Sequence, residues 1–394
     1  MPAHWGGVFA MTLCVFALIA SEFMPVSLLT PMAADLRVSE GWTGYGIAIS
    51  GAFAVLTSLS IARLVGTLDR KVVLLLLTAL MAMSGLVVAL APSYVVYMLG
   101  RALIGVVIGG FWSLSAATAM RLVPPAQVPR ALAVFNGGNA LATVIAAPLG
   151  SYLGAVIGWR GAFLCLLPLV GIALVWQGLS LPRMVAQAVG PRPSVLGLLR
   201  RRLVLLGMTA CAAFFMGQFA LFTYVRPFLE TVTHAGASML PWMLLGIGVG
   251  GFLGTVVIGV FIRRGLYRTL VVLPLLMAVI AVALIPLGAK PWPVAMLLAA
   301  WGFFATAAPV GWWSWLARTL TEDAEAGGGL MVAVVQCAIA LGSTMGGLLF
   351  DRFGFAITFM ASAAVLLCAA ALAGLTAVEA SPPPQQIVQT GEMV

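Results

Sequence analysis

Nearly all of this chain can be cut into apolar lengths of about 20 residues, the length a helix needs to cross a bilayer core about 30 Å thick. Of 394 residues, 62% are apolar and 8% are charged, against about 25% charged in an average soluble domain. Water therefore cannot be the main solvent. Runs of Val, Leu and Ala dominate, and the alternating segments of about 10 residues that build an outer-membrane barrel are not seen. Apolar windows read against Gly, Pro and charge place spans near 8–30, 43–67, 71–90, 94–117, 131–156 and 161–181. A second set follows near 203–225, 238–262, 269–288, 293–316, 328–350 and 355–378. The expected fold is an all-α membrane protein of twelve transmembrane helices.

The net charge of +9 is scattered between apolar runs rather than gathered into the stripe that nucleic acid requires, so no nucleic-acid partner is expected. With the N-terminus inside, the cytoplasmic side receives fourteen basic residues, including Arg63, Arg70, Lys71, Arg121, Arg130, Arg263, Arg264, Arg268 and Arg318. The outer side receives five: Arg37, Arg160, Arg226, Lys290 and Arg352. That bias sets topology and places both termini in the cytoplasm, with the basic loops facing anionic lipid. The expected domains are a first bundle 1–181, a cytoplasmic linker 182–202 with three prolines and five arginines, a second bundle 203–380 and a flexible tail 381–394. Cys14, Cys165, Cys211, Cys337 and Cys368 all fall in spans without metal spacing and read as small buried apolar residues. The stretch MPAHWGG lacks the Lys or Arg of a cleavable signal, so the first span is expected to stay.

The two sets of spans resemble each other at a fixed offset of 196 residues. Gly150, Gly158 and Phe163 map onto Gly346, Gly354 and Phe359, and Glu22, Phe23 and Pro31 onto Gln218, Phe219 and Pro227. Around the fourth span the offset is 201, where Gly110, Trp112 and Ser113 meet Gly311, Trp313 and Ser314. Two parallel six-helix pseudo-repeats predict a substrate site between the halves, reached by rocking.

Several runs carry a family resemblance. GRALIGVVIGG from Gly100 resembles the fourth-helix motif of major facilitator drug:proton antiporters, and APLGSYLGAVIGWRGAF from Ala147 the fifth-helix antiporter motif and GWR turn of the sugar-efflux branch. SEFMPVSLLTPMAADL from Ser21, GGFWSLSAATAMRLVPP from Gly109, FTYVRP from Phe222 and APVGWWSW from Ala308 are similar to the bacterial purine ribonucleoside efflux pumps within that superfamily. In the loop between the second and third helices, Ala62 and Gly66 depart from the usual glycine and acid, leaving Asp69, Arg70 and Lys71. The antiporter motif keeps Pro148 and Gly150 but shows Ala147, Ser151 and Tyr152 where glycines are usual. The resemblance implies gating roles for Asp69, Arg70, Lys71, Pro148 and Gly150. It also implies a proton-driven exporter of purine ribonucleosides or their analogues in the bacterial inner membrane, acting as a monomer without a cofactor.

Glu22 is the only carboxylate inside any of these spans. A charge at mid-membrane costs several kcal/mol and marks a functional site; burial favours the neutral form of a carboxyl group, which makes Glu22 the proton-site candidate. Arg101 is the only basic residue well inside a span. At 1.5 Å rise per residue, Glu22 and Arg101 lie about 4.5 Å and about 7 Å outward of their span centres, at nearly one depth. Arg101 either holds the Glu22 carboxylate until substrate or a conformational change separates them, or ties helix backbones together.

For a neutral solute the sequence offers a few polar groups in an apolar setting. Gln218 with Phe215, Phe219 and Phe222 makes one stripe; Asn136, Asn139 and Thr143 share a face; Gln336, Trp112 and Trp313 complete the set. Amides can pair with a purine edge, and aromatic faces stack on bases at about 1–3 kcal/mol each. Ordinary packing and interhelical hydrogen bonds are the competing roles, and packing is the expected role of glycines 105, 109, 137, 138, 150 and 154. No GxxxxGK[ST] phosphate loop occurs, so ATP is not the direct energy source. The alternatives are a broader multidrug or sugar:proton antiporter, and a polytopic membrane enzyme, which would need a wider cluster of acid, base or nucleophile.

Overall fold

In hydrocarbon every backbone N–H and C=O must be bonded within the protein, which leaves helices and closed barrels, and apolar runs of about 20 residues suit the helix. The computed structural model describes residues 3–66, 68–124, 127–184, 195–320 and 324–380, and among them no strand occurs. The expected tail 381–394 and the middle of the expected linker lie outside the described residues.

The helices are α1 (Trp5–Leu36), α2 (Glu40–Val65), α3 (Arg70–Ala89), α4 (Tyr94–Arg121), α5 (Val128–Leu164), α6 (Leu166–Ser180), α7 (Arg202–Phe222), α8 (Val225–Thr231), α9 (Leu240–Leu287), α10 (Pro291–Thr319) and α11 (Ala324–Ala380). Nine helical stretches among the described residues are long and apolar enough to cross a membrane. Polar residues mark the ends. Arg37 closes α1 in the left-handed region (φ 56°, ψ 45°), and the Ser39 hydroxyl caps α2 by accepting the Trp42 N–H at 3.2 Å. Asp69 caps α3 in the same way, accepting the Lys71 N–H at 2.9 Å.

Two helices are far longer than a bilayer. At 1.5 Å per residue, α9 with 48 residues and α11 with 57 would run about 70–85 Å if straight. Neither does: α9 is broken at Gly265 and α11 at Gly354, and α5 is broken at Gly158. Gly158 (φ 75°, ψ 163°) and Gly354 (φ 78°, ψ −176°) share a backbone conformation closed to side chains with a Cβ, and they stand 196 residues apart.

Beyond Gly158 the GWR turn acts as a staple. Trp159 Nε1 donates to Asp35 at 3.0 Å and Arg160 pairs with the same carboxylate. Arg160 also donates to the Ala91 carbonyl at 2.6 Å while lying 4.2 Å over the Trp159 ring. One turn thus joins the end of α1 to the turn between α3 and α4.

Buried apolar residues fall into separate bodies. One cluster is built almost wholly from residues 198–373 and two from residues 8–184; α2 against α11 and α5 against α9 join the two sides. Close approach rests on glycine. A Cβ on Gly105 or Gly109 of α4 would be driven into the carbonyl oxygens of Ser50 or Ala54 on α2, and one on Gly138 into that of Thr12 on α1. Gly150 and Gly154 are set likewise against Ser27 and Leu28, but Gly137 faces nothing within 4 Å, so the packing role expected of it does not hold. The cysteines also divide. Cys14 and Cys211 are buried, whereas Cys165, Cys337 and Cys368 are exposed, a position a weakly polar thiol tolerates without partners.

The α2–α4 contact gives a direct test. Gly109→Val should lower the thermal midpoint of the detergent-solubilised protein by the equivalent of about 1–3 kcal/mol, the usual cost of overpacking, whereas Gly137→Ala should melt with the parent. Equal melting of all three proteins would contradict the close α2–α4 approach.

Candidate functional site

Both membrane-embedded charges are buried, Glu22 at 4% and Arg101 at 1% exposure, and each is satisfied differently. Arg101 sits one turn from Gly105, where α4 packs closely on α2, and its guanidinium reaches past α2 to α1. Nε donates to the Gly46 carbonyl (3.1 Å), one terminal nitrogen to the Ser21 carbonyl (2.9 Å), and the other to the Glu22 carbonyl (3.2 Å) and the Ser50 hydroxyl (3.2 Å). These bonds tie α4 to α1 and α2, the geometry of the second of the two roles expected for Arg101. Its hydrogen bond to residue 22 ends on the peptide oxygen, not on the carboxylate.

The Glu22 carboxylate turns to the other side of the bundle. Its Oε1 accepts a hydrogen bond from Gln336 Nε2 of α11 at 3.3 Å. On α11 the Gln336 backbone also presses on α2, because a Cβ on Gly51 would lie 2.8 Å from the Gln336 carbonyl oxygen. Next to Glu22, the ring of Phe23 stacks on that of Phe219 of α7 at 5.8 Å and 26°. Phe219 in turn meets Phe222 edge-on at 5.9 Å. Gln218 is buried at 8% exposure and its Oε1 has no hydrogen-bond partner. An orphaned amide oxygen in an apolar setting costs about 1–3 kcal/mol, which favours a donor arriving there.

The remaining expected residues are placed as follows. Phe215 is buried and packs edge-on against Phe214 at 5.4 Å. Asn139 is half-buried on α5, where its carbonyl takes the Thr143 hydroxyl at 2.9 Å; Asn136 lies on the same helix, its side chain outside the described residues. Trp112 meets Phe135 edge-on at 6.2 Å, and Trp313 is 44% exposed near Gly328. Trp112 is eleven residues beyond Arg101 on α4, about 16 Å along the axis, so it stands well away in depth from the Glu22 group.

The contacts of the gating candidates lie within residues 24–184. Asp69 Oδ1 accepts the Met184 N–H at 2.9 Å as well as the Lys71 N–H, and the Arg70 N–H donates to the Met184 carbonyl at 3.1 Å. These bonds tie Met184, just beyond α6, to the α2–α3 turn. Pro148 is buried in α5, and a Cβ on Gly150 would lie 2.6 Å from the Ser27 hydroxyl of α1. Two features were not anticipated. Gln336, expected as a substrate ligand, bonds the proton-site candidate. Asp351, which falls between two of the expected spans, reaches across to Ser39 and Gly41.

A model of the Major Facilitator Superfamily matches residues 11–330. The chain belongs to the Major Facilitator Superfamily. Over 382 residues, 96% of this chain and 95% of the relative, it is 63% identical to a Pseudomonas aeruginosa protein named transcription regulatory protein OpdE. Over 367 residues, 93% of this chain and 92% of the relative, it is 38% identical to the purine ribonucleoside efflux pump NepI of Salmonella paratyphi B. A crystal structure of a bacterial homolog of the human lysosomal transporter Spinster, inward-facing and unoccupied, superposes with a TM-score of 0.77 over 98% of this chain and 99% of that one. At 16% identity that likeness concerns the fold. The motif resemblance is borne out, and this facilitator is a multi-pass membrane transporter rather than an enzyme.

Proposed function

We propose that this facilitator exports purine ribonucleosides in exchange for protons, with Glu22 as the proton site. The observation that carries the reading is the Glu22–Gln336 hydrogen bond at 3.3 Å, which links the two sides of the bundle; Phe23, next to Glu22 in sequence, stacks on Phe219, whose neighbour Gln218 carries the unpartnered oxygen. The 38% identity to a purine ribonucleoside efflux pump supports the substrate class. A purine can stack on the aromatic pair, and its N–H groups can supply the donor that Gln218 lacks. Asn139 on α5 would add a polar contact as the sides close on the solute.

Twelve spans follow when α5 with α6, α9 and α11 are each divided at their breaks. Two six-helix halves joined by the 182–202 linker are supported by the shared conformation of Gly158 and Gly354. The charge bias puts both termini on the cytoplasmic side of a bacterial inner membrane. The name of the Pseudomonas relative concerns transcription; a transporter influences transcription without touching DNA when its solute is an effector, and the proposed activity accommodates that name. One proton entering per neutral solute leaving moves one charge per cycle, worth about 2.3 kcal/mol per 100 mV, so export should respond to voltage as well as to pH.

The test is uptake of radiolabelled inosine into everted vesicles under an imposed pH gradient. Gradient-driven flux is expected, and Gln218→Leu should raise the half-saturating inosine concentration about tenfold, as for one lost hydrogen bond to a buried group. Movement of cationic dyes without inosine flux would replace the nucleoside reading by drug export.

A further inference from the structure

We propose that Asp351 is a latch: carried by α11, it holds the N-terminus of α2 and keeps one end of the bundle shut. The inference rests on the alternating-access reading, and it says which contact must break when the bundle rocks. The first N–H groups of a helix have no partner within it, and the positive end of the helix dipole favours an anion there. At the start of α2 the anion comes from a residue 310 positions away in sequence: Asp351 Oδ1 accepts the Gly41 N–H at 3.0 Å, and Oδ2 accepts the Ser39 hydroxyl. That hydroxyl simultaneously accepts the Trp42 N–H, so the acid completes the cap of α2 from the opposite side of the bundle.

The backbones are shaped for this approach. A Cβ on Gly41 would be driven into the Asp351 carboxylate, and one on Gly347 would lie 3.1 Å from the Gly41 backbone. Arg226 closes the same end a second time, donating to the Ser27 carbonyl of α1 while Glu230 holds it at 2.9 Å. The Asp35–Trp159–Arg160 staple, by contrast, joins elements of one side only.

Asp351 is suited to release as well as to hold. It is exposed, so water can replace its partners once the ends part, and the contact can break and re-form without leaving a buried orphan. It stands fifteen residues from Gln336 on α11, about 22 Å along the axis, so it can be altered without touching the proposed proton site.

The experiment measures spin-label distances in the full-length protein in lipid nanodiscs, with Cys165, Cys337 and Cys368 changed to Ala and labels at Ser93→Cys and Ala237→Cys, exposed positions at this end. Asp351→Ala should raise the population at long separation about fivefold, as for one lost charge-assisted hydrogen bond on a solvated surface. Gly41→Ala should do the same by steric exclusion, with melting temperature unchanged in both. Unchanged distances in both variants, with the parent still opening on addition of inosine, would overturn the latch and leave alternating access standing. A single distance in every sample would overturn both.

Discussion

Replacing Glu22 by Gln should abolish concentrative export while leaving the protein folded. Gln keeps the shape of the side chain and an oxygen for the Gln336 N–H that now donates at 3.3 Å, so helix packing is preserved. What is lost is the ability to bind and release a proton. With one proton per solute, each unit of imposed pH difference is worth about 1.36 kcal/mol and sustains about a tenfold concentration ratio; in the variant the ratio should fall to one. Inosine exchange between two loaded compartments at equal pH needs no net proton movement and should survive. A variant that still concentrates inosine against its gradient would move the proton site to a group other than a carboxylate of the expected spans, because Glu22 is the only one there.

Replacing Arg101 by Ala should damage the fold instead. The side chain is 1% exposed and donates four hydrogen bonds to oxygens on α1 and α2. Bonds to a charged group are worth about 1.5–3 kcal/mol each, and truncation leaves a void where the guanidinium stood, so a loss of several kcal/mol and a marked drop in thermal midpoint are expected. Arg101→Lys keeps the charge but not the planar fork and should fall between the two. If Arg101→Lys melted with the parent yet lost concentrative export, Arg101 would belong to the proton path rather than to the backbone tie.

Some of this was legible in the residues. Glu22 and Arg101 stand out because an isolated charge in a long apolar run has to be explained, and the 196-residue offset paired Gly158 with Gly354, whose shared backbone conformation came only with the structure. Gln336 was legible as a polar group in a span but not as the partner of Glu22, because the two lie 314 residues apart and nothing local encodes their meeting. Trp112 and Trp313 matched each other at an offset of 201 residues, yet Trp112 packs edge-on against Phe135 and Trp313 is 44% exposed near Gly328. Asp351 looked like a loop residue because its partners, Ser39 and Gly41, belong to a helix start at the other end of the chain.

The sequence by itself determined the apolar runs, the charge bias and the residues that hydrocarbon makes costly. These are one-dimensional properties, because the bilayer imposes the same local demand on each successive stretch. Only the tertiary structure decided that Arg101 binds backbone, that Glu22 binds Gln336 and that Asp351 caps α2. Those choices depend on which helices lie side by side, and helix adjacency is fixed by glycine-mediated close packing between distant segments.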